Sequence, residues 1–70
     1  MSMFKYYVGK SEVNKDEYLS FLIEDALDNG RGEKDAKRVK RENEQDAKVN
    51  KENTFITCGG FELKVKYIKL

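Results

Sequence analysis

Between Met3 and Val8 the chain alternates: Phe4, Tyr6 and Val8 fall on one side of an extended segment, and Met3, Lys5 and Tyr7 on the other. A period of two predicts a strand, which Gly9-Lys10-Ser11 ends. The period then changes. Between Lys15 and Asp28, the residues Tyr18, Leu19, Leu22, Ile23, Ala26 and Leu27 form one broad apolar arc of a helix. Asn14 is placed to cap it, Glu17 three residues on completes an Asn-x-x-Glu variant of the capping box, and Val13 with Tyr18 fits a hydrophobic staple. Asn29-Gly30 supplies the stop, with Gly30 suited to the left-handed terminal position. Asp16, Glu17, Glu24, Asp25 and Asp28 fill the opposite arc. Phe21 points among these carboxylates, so something should cover it.

The last segment predicts a hairpin. Gly59-Gly60 reads as a two-residue loop tolerating positive φ at both positions. That register sets Cys58 against Phe61, Ile56 against Leu63 and Thr54 against Val65. Ile56, Cys58, Phe61, Leu63, Val65 and Tyr67 then share the core face. Phe55, Thr57, Glu62, Lys64, Lys66 and Ile68 share the other.

Arg31–Asn53 breaks the pattern, with fourteen charged residues and only Ala36, Val39, Ala47 and Val49 as apolar ones. Opposite charges recur four apart at Glu33/Lys37, Arg38/Glu42, Lys40/Glu44, Glu44/Lys48 and Lys48/Glu52. Each such pair adds only about 0.2–0.5 kcal/mol, so Glu33–Val49 reads as a helix, with partial disorder as the alternative. Ala36, Val39, Asn43, Ala47 and Asn50 make a thin stripe along it. The expected architecture is α+β in one domain, ordered β-α-α-β-β: a three-stranded, mainly antiparallel sheet, one core helix, and a peripheral charged helix.

Charge sharpens this only locally. The net charge of +1 gives no whole-molecule attraction to nucleic acid or membrane. Met1–Gly30 holds three basic and six acidic residues, however, while Arg31–Asn53 holds eight and six, so alkyl stems of the basic segment are candidates to cover Phe21. Cys58 stands alone and no segment carries the ~18 apolar residues of a membrane span. A cytoplasmic protein without a membrane partner is the expectation, as monomer or homodimer.

Catalytic chemistry finds little footing. Gly9-Lys10-Ser11 resembles the end of a phosphate-binding loop, but Phe4 occupies the position of that motif's first glycine. There is no histidine to serve as a general base, and Cys58 is expected in the core. No cofactor, metal or catalytic residue is therefore assigned. Binding has better candidates. With Phe4, Tyr6 and Val8 turned to the helix, the far side of the sheet carries Tyr7, Phe55, Lys5, Lys64 and Lys66, beside Ile68. Aromatics among lysines suit a protein interface and equally suit single-stranded nucleic acid. The second helix or a second copy could instead cover them. Lys34, Lys37, Arg38, Arg41 and Lys48 form a secondary basic face.

The opening Tyr6-Tyr7-Val8-Gly9-Lys10-Ser11-Glu12-Val13-Asn14-Lys15-Asp16-Glu17-Tyr18 resembles the starts of small accessory proteins encoded by phages and integrative elements of Gram-positive bacteria. The close, Phe55–Ile68 around Gly59-Gly60, is similar to their terminal strands. The resemblance covers the two ends of the chain. It implies an accessory protein of the host cytoplasm, a stoichiometric inhibitor or modulator of a host protein or nucleoprotein, of which anti-CRISPR proteins are one group.

Overall fold

The first helix starts and stops where its signals lie. The computed structural model describes residues 2–69. Along them run strands β1 (Ser2–Val8) and β2 (Ser11–Val13), helices α1 (Lys15–Asp28) and α2 (Glu33–Asn50), and strands β3 (Glu52–Ile56) and β4 (Glu62–Lys69). At the head of α1, Asn14 Oδ1 accepts the Glu17 N–H at 2.8 Å, and the Asn14 N–H donates to Glu17 Oε1 at 3.5 Å. Both halves of the capping box are thus present. At its tail Gly30 sits at φ +73. The Arg31 N–H donates to the Ala26 carbonyl at 2.7 Å and the Gly30 N–H to that of Leu27 at 3.2 Å, a Schellman closure.

The α+β class holds, but the sheet has four strands rather than three, all antiparallel, in the order β2-β1-β4-β3. The additional strand is β2. Gly9-Lys10 does not end β1 in a loop: it turns the chain, so that Val8 pairs with Ser11 and Tyr6 with Val13. Gly9 has φ +61, which fits the first central position of a type II′ hairpin, where glycine avoids a Cβ clash.

The second hairpin corrects the expected register by one residue. Thr57 N–H donates to the Phe61 carbonyl at 2.9 Å and Gly60 N–H to that of Thr57 at 2.9 Å, with Gly60 at φ +86. The loop is therefore Cys58-Gly59-Gly60, a turn followed by a left-handed glycine. Thr57 Oγ1 anchors it by accepting the Phe61 N–H at 3.0 Å. With this loop Ile56 pairs with Glu62, Phe55 with Leu63 and Asn53 with Val65. A shift of one residue turns every side chain of β3 to the other face. Phe55 joins the helix side, where it lines a crevice with Leu22, Ala26, Ala36 and Val39. Ile56 and Cys58, expected in the core, are exposed.

The charged helix is not peripheral. Ala36, Asn43 and Ala47 are buried, three members of the thin stripe whose small side chains permit close approach. The core joins Tyr6, Leu63 and Val65 of the sheet to Tyr18, Leu22 and Ala26 of α1 and to Ala36 and Ala47 of α2. Both helices thus lie on one side of the sheet, α1 against β1 and α2 against β3 and β4. The shortest dimension of 19 Å fits one helical layer on one sheet. Leu63 and Val65 are fully buried between them, each contributing about 1.5–3 kcal/mol through area removed from water. Asn43 Nδ2 donates to Tyr18 Oη at 2.9 Å across the helix–helix contact, so the one buried amide of α2 is paired inside the core.

Candidate functional site: the bare face of the sheet

With both helices on one side, the opposite face of the sheet has no layer over it among the described residues. The strand register fixes what that face displays. Met3 lies beside Ile68; Lys5 beside Lys66, which lies beside Glu52; Glu12, Tyr7, Lys64 and Thr54 form the next row; Glu62 and Ile56 the last. Basic residues occupy the middle, apolar residues two opposite corners, and Glu12, Glu52 and Glu62 the rim. Met3 and Ile56 are exposed, while Tyr7 and Ile68 are half-buried. The Lys66 ammonium sits 5.4 Å from the centroid of the Tyr7 ring, a cation–π contact that holds both side chains in place.

One pairing works against the fold. Lys5 and Lys66 are directly opposite in the β1–β4 ladder, and like charges so placed destabilise a sheet. Glu52 on the far side of Lys66 offsets part of this. A shallow groove of about 530 Å³ crosses the same region, lined by Tyr7, Gly9, Lys10, Glu62, Lys64 and Lys66.

Of the residues singled out from sequence, the structure brings Tyr7, Lys5, Lys64 and Lys66 together and removes Phe55. Ile56 and Thr54 take its place. Ile56 carried a signal, since a three-residue loop through Gly60 is also readable from Cys58-Gly59-Gly60, and it inverts β3.

The secondary basic face lies elsewhere, on the solvent side of α2. Lys37 pairs with Glu33 at 3.7 Å, and Arg38 with Asp35 at 3.7 Å and Glu42 at 3.8 Å. All three are open to water, where such pairs are worth little. Lys34, Arg41 and Lys48 are exposed with no ion-pair partner among the described residues. None of these cations reaches the acidic arc of α1. Phe21 is covered instead by Phe61 of the β3–β4 loop, ring centroids 5.9 Å apart, and Asp25 is engaged by the Cys58 N–H at 2.8 Å.

The helix side holds a second polar group of residues. Glu44 accepts from Tyr6 Oη and from Lys40 Nζ, the latter at 2.9 Å. Burial, and after it the Glu44 carboxylate, pushes the Tyr6 hydroxyl pKa above its ordinary value. Burial pushes Tyr18 up to about 12, against the opposing hydrogen bond from Asn43. Tyr6 and Glu44 tie α2 to the sheet and Tyr18 and Asn43 tie it to α1, all on the helix side.

No protein-family model matches the chain, and no curated protein or solved structure is significantly similar to it. No group of three or more metal-ligating side chains lies among the described residues, and no helix there is long and apolar enough to cross a membrane.

Proposed function

We propose that this protein is a non-enzymatic docking module whose bare sheet face receives a protein, alone or as part of a nucleoprotein. The observation that carries the reading is the arrangement of that face: Tyr7 stands in the middle among Lys5, Lys64 and Lys66, with Met3, Ile56 and Ile68 at two corners and glutamates at the rim. A tyrosine anchor is what protein interfaces use, and the central lysines call for acidic groups on the partner. Tyr7 is already positioned by Lys66, so binding costs less side-chain entropy. The opposed Lys5 and Lys66 lose folding energy that an acidic group on the partner would restore. The resemblance of the chain ends to mobile-element accessory proteins makes a host machine the partner we favour, with stoichiometric inhibition, as in anti-CRISPR proteins, the corresponding mode of action.

The three lysines around Tyr7 favour a second reading, direct binding of single-stranded nucleic acid. It is the weaker one: with Phe55 turned inward a single aromatic remains for stacking, and Glu12, Glu52 and Glu62 repel phosphates. Two measurements separate the readings. Capture from a lysate of the source cells with wild type, Tyr7→Ala and Lys66→Glu should yield a protein that both variants lose. Fluorescence anisotropy with single-stranded DNA and RNA at ~50 mM salt should give no binding, whereas a steep salt dependence there would favour nucleic acid.

A further inference from the structure

The second open feature is an edge rather than a face. Strand β1 pairs with β4 along its whole length, Ser2 to Val8. On its other side β2 covers only Tyr6, Tyr7 and Val8. The chain leaves β2 at Asn14 to start α1, so among the described residues no strand lies beside the first half of β1. In an antiparallel ladder successive residues turn their N–H and C=O to opposite sides. Gly9 donates to Glu62 of β4 at 2.7 Å, so the odd-numbered residues of β1 aim at β4 and the even-numbered ones away from it. Tyr6 finds Val13 there. Phe4 finds no strand among the described residues.

Beside this edge lies a groove of about 620 Å³. Phe4, Tyr6 and Val13 form its apolar floor, the start of α1 closes one end, and α2 forms the wall at Lys40 and Glu44. Lys40 and Glu44 neutralise each other at 2.9 Å. Lys5 and Lys15 against Glu12 leave the rest of the lining with a positive excess.

We infer that the Ser2–Lys5 edge of β1 is a strand-addition site for an extended, acidic-apolar peptide segment of a partner protein. The main chain of Phe4 supplies one donor and one acceptor in the ladder direction, which only another extended chain matches. The added residue opposite Phe4 would place its side chain on the helix side, over the Phe4 ring, and therefore be apolar. Its neighbours would turn to the other face, next to Lys5, and therefore be acidic. The site shares Lys5 with the bare face, but the outward N–H of Phe4 belongs to this edge alone, so N-methylation of Phe4 and Tyr7→Ala tell the two apart.

The test uses the full chain made by ligation at Cys58, with and without an N-methyl group on Phe4, which deletes that outward N–H and keeps the ring. The probe is the fluorescein-tagged, acetylated heptapeptide Thr-Glu-Val-Glu-Val-Glu-Thr, with Thr-Lys-Val-Lys-Val-Lys-Thr as control. Anisotropy should show the acidic peptide binding at least tenfold more tightly than the lysine peptide. N-methylation should cost at least tenfold, Tyr7→Ala should change nothing, and Lys5→Glu should reverse the preference between peptides. If the N-methylated chain does not fold, an ester in place of the Met3–Phe4 amide removes the same N–H without added bulk and should cost the same; binding unchanged by it overturns the inference. Absence of binding at millimolar peptide, or equal binding of both peptides, overturns the inference. So does a homodimer in sedimentation that N-methylation dissolves, since a second copy would then own the edge.

Discussion

Gly59 and Gly60 are adjacent and chemically identical, yet the β3–β4 loop makes opposite demands on them. Gly60 has φ +86 with open space where a Cβ would go. Alanine there meets no atom but must hold a left-handed backbone, at roughly 1–2 kcal/mol. The reduced entropy of the unfolded chain returns about 0.4–1 kcal/mol, leaving a net loss of about 1 kcal/mol. Gly59 is not in the positive-φ region, and a Cβ there would meet the Phe61 ring at 3.6 Å, an ordinary contact. Gly59→Ala should therefore gain the unfolded-state term of about 0.4–1 kcal/mol. With an m-value of ~1 kcal/mol per molar urea for so small a chain, the two variants should bracket wild type, midpoints separated by roughly 1–2 M. Far-UV circular dichroism during urea titration measures this. A two-residue loop with positive φ at both glycines predicts comparable losses at both. That result would refute the register, and with it the inward placement of Phe55 and the outward placement of Ile56.

Three further outcomes follow from the helix side. Tyr18→Phe should cost about 1–3 kcal/mol by leaving the buried Asn43 amide unpaired, and adding Asn43→Leu should recover much of it; additive losses in urea titration would mean the two side chains do not interact. Tyr18, held up to about 12, keeps its proton between pH 10 and 12, where the unfolded chain has lost it. Stability is then complete below pH 10 and falls as pH rises, by up to about 1.4 kcal/mol per pH unit. Tyr6 adds in the same direction. Urea midpoints between pH 9 and pH 11 should fall less steeply in Tyr18→Phe, and an unchanged slope would contradict the burial. Lys51 joins α2 to β3 at φ +74, so Lys51→Gly should raise the urea midpoint, by about 0.5 kcal/mol of net strain relief; a lowered midpoint would show that the lysine side chain outweighs the strain.

What could be read from the sequence was local and redundant. Helix α1 carried a cap, a box, an apolar arc and a glycine stop, and all four agree with its observed bounds. The stripe of α2 was legible too, but its meaning was not. Alanines at Ala36 and Ala47 looked like a lack of core, whereas close packing of a helix on its neighbour needs small residues there. β3 failed for a different reason: Phe55 and Ile56 are both apolar, so alternation supports either register, and only the loop geometry decides. β2 was short enough to hide, although Gly9-Lys10 is a turn signal in its own right. The bare face survives these corrections because Tyr7, Lys5, Lys64 and Lys66 belong to β1 and β4, whose pairing never depended on the loop.

Whether partners dock on the bare face can be asked directly by site-specific photo-crosslinking in the source cells, which works for a partner of any identity. The photoreactive residue p-benzoyl-phenylalanine replaces Tyr7 in one chain and Arg41, on the exposed side of α2, in another. Docking on the sheet should give a discrete protein adduct from position 7 and none from position 41. An adduct from position 41 with none from position 7 would place the interface on the helices and contradict it.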